Sequence, residues 1–209
     1  MKEWGTVLEE ELNWREAELA SLKLLVSEAA PKSVRQSSLL RALWAMLYAH
    51  YEGFCKFAWD YYLENLEQLG VSRESSCEPL ARFSLAKKFR ELRGDLKSDV
   101  LWSVYTHDFQ AWMKEQLKFE LRLETESNLW PNLLRENSAE VDLPYKKVDE
   151  HELKLKTLVA RRNEIAHGKK MVIASLEEYQ PYEDAAILVM HELAVAVLEC
   201  LEKKTYLKP

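Results

Sequence analysis

Arg162, Asn163 and His167 fall within one segment, Ala160-Arg161-Arg162-Asn163-Glu164-Ile165-Ala166-His167-Gly168-Lys169-Lys170. A guanidinium holds an anion with a planar fork of donors, an amide orients a neighbour, and an imidazole exchanges protons near neutral pH. Together these groups suit the binding and cleavage of a phosphodiester. On a helix, Leu155, Leu158, Val159, Arg162, Ile165 and Ala166 form one inward stripe, so Arg162 stands where an apolar side chain belongs. An inward arginine is costly unless it is paired or lines a cleft. Asn163 and His167, four residues apart, share the adjoining face, and His167 lies in the last turn, where the helix dipole favours imidazolium. Arg-x4-His by itself discriminates little, since eleven arginines and five histidines give about 0.3 matches by chance. The spacing leaves open a plain polar helix end in which Arg162 snorkels and His167 caps.

The helix carrying this segment is marked by Asp149 with Glu152 three residues on, an N-cap pair, and by Gly168, where helices commonly end. Helical spacing governs most of the chain. Trp4, Leu8, Leu12, Leu19, Leu22 and Val26 form a one-sided stripe that Pro31 terminates. Ser33 with Gln36 is a capping box opening a long helix over 34–69, which Gly70 stops. Its stripe Leu40, Leu43, Leu47, Tyr51, Phe54, Ala58, Tyr61, flanked by Trp44, Tyr48 and Trp59, reads as bundle core. Residues 71–79 read as a polar loop, 80–93 as a helix broken by Gly94-Asp95, and 99–118 as another helix. An irregular segment at 124–127, a short helix after Pro131 and a loop through Leu143-Pro144 follow, and residues 170–175 could extend briefly. Ser175 with Glu178 caps a last helix through the apolar block 185–198. The expectation is an all-α, single-domain chain over 1–209: a bundle of four to five main helices with an elaborated middle connection.

Composition bounds the rest. The chain has 209 residues, 29 basic and 35 acidic, for a formal charge of −6, with only five Gly and six Pro. Few turn residues argue against a sandwich or barrel, and net acidity argues against a nucleic-acid coat. Yet residues 146–170 hold eight basic side chains against four acidic ones, a local +4 that leaves −10 for the remainder. An acidic body with one basic segment accepts a polyanion at one place. Cys55, Cys77 and Cys200 form no CxxC and are expected as reduced thiols. The N-terminus lacks a signal-peptide core, and the most apolar run is interrupted by His191 and Glu192; a cytoplasmic protein without a membrane segment is expected.

Arg162-Asn163-Glu164-Ile165-Ala166-His167 resembles the R-x4-6-H motif of the HEPN superfamily (higher eukaryotes and prokaryotes nucleotide-binding), commonly R-N-x-x-x-H. The likeness is closest to prokaryotic HEPN-like nucleases of the RiboL-PSP branch. Leu47-Tyr48-Ala49-His50-Tyr51-Glu52-Gly53-Phe54-Cys55-Lys56 resembles that branch's aromatic-E-G-F-x-K helix, and Thr125-Glu126-Ser127-Asn128-Leu129 its middle signature. The resemblance implies a metal-independent endoribonuclease acting as a homodimer, with two R-x4-6-H helices facing each other across a composite cleft. His167 would be the general acid/base for attack of a ribose 2′-hydroxyl on the adjacent phosphate, Arg162 would hold that phosphate, and Asn163 would orient one of them. Glu52 and Lys56, an i,i+4 pair, would support the cleft, and Arg161, Lys169 and Lys170 would contact RNA phosphates. Arg161 also offers an Arg-x5-His register. It lies off the apolar stripe, so Arg162 is preferred as the catalytic arginine. Relatives that are inactivated by modification carry a tyrosine two residues after the histidine. Gly168-Lys169 stand here, so that route is not expected.

Rival chemistries lack their partners. Glu164-x-x-His167 is half of a di-iron motif, but no other histidine has Glu three before it. His191-Glu192 does not extend to H-E-x-x-H, because position 195 is valine, and is placed on a helix flank. His50, His107 and His151 are expected at the surface or in caps. Neither metal nor cofactor is expected. Two functions remain: an RNA-cleaving toxin or phage-defence effector with a possible cognate antitoxin protein, or a non-catalytic helical module binding nucleotide, RNA or a protein partner.

Overall fold

A computed structural model describes residues 4–93 and 97–208. α1 (Trp4–Glu28) and α2 (Val34–Leu69) form where their periodicity places them. At the start of α2 the Ser33 hydroxyl accepts from the Gln36 N–H at 3.1 Å, and the Gln36 side chain accepts from the Lys32 N–H at 2.8 Å. Two otherwise orphaned donors are thereby satisfied. Gly70 closes α2 at φ +67°, a left-handed conformation that suits glycine. Leu40, Leu43, Trp44, Leu47, Tyr48, Tyr51, Phe54, Ala58 and Trp59 are buried as the stripe requires; Tyr61 is half-buried.

The middle of the chain departs most from its expected form. Residues 71–79 are an anchored connection, since Arg73 within the 3-10 turn Arg73–Ser75 is buried. Its guanidinium donates to the Ser84 hydroxyl, the Trp112 carbonyl and the Glu115 carboxylate, each at 2.8 Å, which makes burial of the charge tolerable. The single helix expected over 80–93 is two, α3 (Glu78–Ser84) and α4 (Ala86–Leu92), interrupted at the buried Leu85 with φ −100°, ψ 3°. The break expected at Gly94-Asp95 falls outside the described residues. α5 (Ser98–Ser103), a π-helical turn Val104–Asp108 and α6 (Phe109–Lys114) continue one another. This run stops at Lys114 instead of 118. Glu115 turns extended, and Leu117 becomes buried while donating its N–H to the Val71 carbonyl at 2.7 Å.

From Gln116 to Trp130 the chain lies antiparallel along α2. Glu67 accepts from the Phe119 N–H at 2.6 Å, Glu64 faces Arg122 at 4.0 Å, Lys56 faces Glu124 at 3.5 Å, and the Tyr48 hydroxyl accepts from the Leu129 N–H at 2.8 Å. The helix from residue 48 to 67 spans about 28 Å at 1.5 Å per residue. Ten residues of extended chain reach about 33 Å. The segment is therefore a strap with little slack, its excess taken up by the turn at Thr125–Asn128, and it delivers Asn128 to a fixed height on α2.

α7 (Pro131–Glu140), α8 (Lys146–Glu150), α9 (Glu152–Ala166) and α10 (Leu176–Lys203) complete the chain. Asp149 does not cap α9. It sits inside α8 and accepts from Arg135 Nε at 2.6 Å, leaving His151 at the N-cap position without a side-chain bond. Ser175 caps α10 as expected, accepting from the Glu178 N–H at 3.3 Å. α1, α9 and α10 all pack on α2, giving an all-α bundle whose core lies along that helix. Among the described residues there is no strand, only isolated bridges at Ser72–Gln116 and Ser76–Leu207.

Candidate active site

α9 is fixed differently at its two ends. Leu155, Leu158 and Val159 are fully buried, each contributing about 1.5–3 kcal/mol, and the Leu158 carbonyl accepts from the buried Trp44 indole at 3.1 Å. From Arg161 onward the helix is only half-buried, and polar contacts take over. It ends in a Schellman pattern: Lys169 N–H donates to the Glu164 carbonyl at 2.9 Å and Gly168 N–H to the Ile165 carbonyl at 3.1 Å. Gly168 at φ +72° permits this closure and leaves His167 at the helix end.

The two arginines part company here. Arg161 turns toward α10, donates to Glu178 at 2.6 Å and lies 4.9 Å over the Trp44 ring. Glu178 also accepts from the Ala174 N–H at 2.7 Å, and that bond, helped by Arg161, holds its carboxyl below the usual carboxylate range. Arg162 turns toward α2 and the strap. Its Nη1 donates to Asn163 Oδ1 at 2.9 Å and Asn128 Oδ1 at 3.2 Å, and its guanidinium lies 4.4 Å over the Tyr48 ring. No carboxylate lies within ion-pair distance of Arg162 among the described residues. Its neighbours are amide oxygens and a π face, which orient a cation without neutralising it.

Tyr48 anchors this arrangement. Its hydroxyl accepts the Leu129 N–H and interacts with the Glu52 carboxylate; burial, the largest influence, pushes its phenol up to about 12. Glu52 thus stands one shell behind Arg162. Lys56 does not pair with Glu52 as its spacing suggested; it reaches Glu124 at 3.5 Å on the strap and is exposed. Asn128 follows a tight turn in which Glu126 and Ser127 both have positive φ (50° and 64°) and the Asn128 N–H returns to the Thr125 carbonyl at 2.9 Å. Two consecutive left-handed non-glycine residues are uncommon, and the turn aims Asn128 at Arg162.

His167 is exposed, with no hydrogen bond to its ring among the described residues. Five residues separate it from Arg162, about 140° around the helix and 7.5 Å along it. One chain therefore presents a packed guanidinium and, beyond it, an open imidazole. Lys169 faces Glu164 at 3.6 Å, its carbonyl accepts from Arg41 at 3.3 Å, and Lys170 is exposed.

Sequence reasoning nominated neither Tyr48 nor Asn128, although both lie inside segments whose residue order was distinctive. Glu178 was read only as a cap. His50 was misplaced. It is buried on α2 against Glu18 at 2.9 Å and the Trp14 ring at 5.2 Å, because its position on the helix faces α1. His191 sits on the α10 flank and pairs with Glu16 at 2.7 Å. Cys55, Cys77 and Cys200 are free. Among the described residues no group of three or more His, Cys, Asp or Glu side chains is arranged to hold a metal ion, and no helix is long and apolar enough to cross a membrane.

The family profile described as HEPN_MAE_28990-like HEPN matches residues 4–206, nearly the whole chain. No curated protein and no solved structure matches the chain.

Proposed function

This chain belongs to the HEPN_MAE_28990-like HEPN family, and from that premise we propose that it is a metal-independent endoribonuclease working as a homodimer. HEPN domains are nuclease-type or nucleotide-binding helical modules. The observation that supports cleavage is the state of Arg162: oriented by Asn163, Asn128 and Tyr48, with no carboxylate within ion-pair distance among the described residues. A guanidinium so held is preorganised for an incoming phosphate and for the charge that grows on it during reaction.

The reaction needs no atom beyond RNA and protein. An imidazole takes the proton of a ribose 2′-hydroxyl, O2′ bonds to the adjacent phosphorus, and the P–O5′ bond breaks. The departing 5′ oxygen takes a proton from a second, protonated imidazole, leaving a 2′,3′-cyclic phosphate and a 5′-hydroxyl. His167 is the proton-transfer group and Arg162 the phosphate holder, with Asn163 and Asn128 positioning Arg162. Because His167 and Arg162 leave α9 in different directions, a second copy supplies the facing imidazole. Lys169 and Lys170 meet flanking phosphates. Arg161 would reach one only by giving up Glu178. Such an enzyme acts on cytoplasmic RNA, and as a toxin or defence effector it arrests growth on expression unless a partner protein blocks it.

Purified protein incubated with total RNA in EDTA tests this directly. Cleavage by wild type that falls about 100-fold or more in Arg162→Ala and His167→Ala supports the assignment. Equal cleavage by all three, or none by wild type, rejects it.

A further inference from the structure

Residues 98–114 form one helical arm, and none of them is buried. Leu101 (43% exposed), Trp102 (67%), Tyr105 (73%) and Phe109 (39%) are exposed along it, with the Trp102 and Tyr105 rings 6.3 Å apart. Contiguous apolar surface of this kind on a folded chain marks an interaction site.

We propose that the arm is a self-association surface, covered by the arm of a second copy that lies antiparallel across a two-fold axis at Tyr105. Three observations select a second copy. Leu101, Tyr105 and Phe109 are spaced four and four, so reversing the chain about Tyr105 brings Leu101 opposite Phe109 and Tyr105 beside its own mate. That is the self-complementarity an isologous contact requires. The arm's charges, Lys114 against Asp99 and Asp108, leave a net of only −1, so two copies of a chain carrying −6 meet here with little repulsion. The exposed parts of these four side chains amount to about 500 Å² per copy and about 1,000 Å² for a pair, where specific interfaces begin.

The arm is separate from the site on α9. It is rooted where Arg73 meets the Trp112 carbonyl at 2.8 Å and Lys88 lies 4.3 Å over the Trp112 ring, just past the C-terminus of α2. The end of α9 meets α2 at Arg41, and residues 41 and 70 are about 44 Å apart along that helix. The inference therefore does not rest on the ribonuclease reading. Where both contacts form, the assembly exceeds a dimer.

Variants of the full chain with one added cysteine, oxidised and run beside wild type to account for Cys77 and Cys200, test the register. Tyr105→Cys is expected to cross-link to itself. Leu101→Cys is expected to link to Phe109→Cys on mixing but not to itself, because two Leu101 residues lie about 12 Å apart along paired arms, beyond disulfide reach. In sedimentation, Trp102→Glu and Tyr105→Glu should raise the concentration for half-association at least tenfold. The proposal fails if Tyr105→Cys gives no linked dimer, if Leu101→Cys links to itself as readily as to Phe109→Cys, or if the glutamate variants sediment as wild type.

Discussion

The guanidinium of Arg162 lies 4.4 Å over the ring of Tyr48, whose hydroxyl in turn accepts the Leu129 N–H at 2.8 Å. One side chain of α2 thereby fixes both the strap and the proposed phosphate-binding residue. Tyr48→Phe keeps the ring and strands a buried N–H, and is expected to cost about 1–3 kcal/mol of stability. Tyr48→Leu also removes the π face and should lower the RNA-cleavage rate further than Tyr48→Phe. Urea unfolding and initial rates on the two variants check this; equal rates would show that the ring does not hold Arg162.

Arg162→Lys retains charge without the planar fork. Both amide bonds leave from Nη1, so the planar fork keeps Nε and Nη2 for a phosphate, whereas an ammonium has one nitrogen for every contact; activity should fall about 100-fold while the fold is kept. Far-UV circular dichroism with kcat/KM measurement decides. A lysine variant near wild-type rate would mean that charge alone suffices.

Arg161 and Glu178 join α9 to α10 in a partly exposed pair, with side chains 27% and 32% exposed. A double-mutant cycle of Arg161→Ala and Glu178→Ala should give a coupling of about 0.5–1 kcal/mol, because solvent screens the pair. Arg161→Ala should reduce cleavage much less than Arg162→Ala. The opposite ranking would move the catalytic role to Arg161.

Burial, opposed by Glu18 and aided by Arg15, holds the His50 imidazole below its usual value. The folded chain then binds fewer protons than the unfolded one between that lowered pKa and about 6.5, the ordinary histidine value. Stability is therefore complete above about pH 6.5 and declines as pH falls through this window. The urea midpoint should drop from pH 7.5 to 5.5 more in wild type than in His50→Gln; identical drops would remove His50 as the cause.

The long helices were legible because periodicity and caps agree there: Ser33, Gly70, Ser175 and Gly168 mark ends that the structure keeps. The middle was not, because its order comes from contacts distant in sequence. Arg73 is buried through Ser84, Trp112 and Glu115, and Leu117 leaves the helical run to bond Val71. At the site, Arg162 stood out as a charge on an apolar stripe. Its partners did not, since Tyr48 looks like core and Asn128 like loop until the strap brings them together. His50 shows the converse: a polar residue type suggested the surface, and its helical phase put it inside.

Product analysis in EDTA bears most directly on ribonuclease action by Arg162 and His167. An RNA oligonucleotide treated with wild type should yield fragments ending in 2′,3′-cyclic phosphate and beginning with 5′-hydroxyl. The same oligonucleotide with a 2′-deoxyribose at the cleaved position, and the intact one treated with His167→Ala, should stay uncut. Cleavage of the deoxy-substituted position, or cyclic-phosphate ends formed equally by His167→Ala, would contradict the assignment.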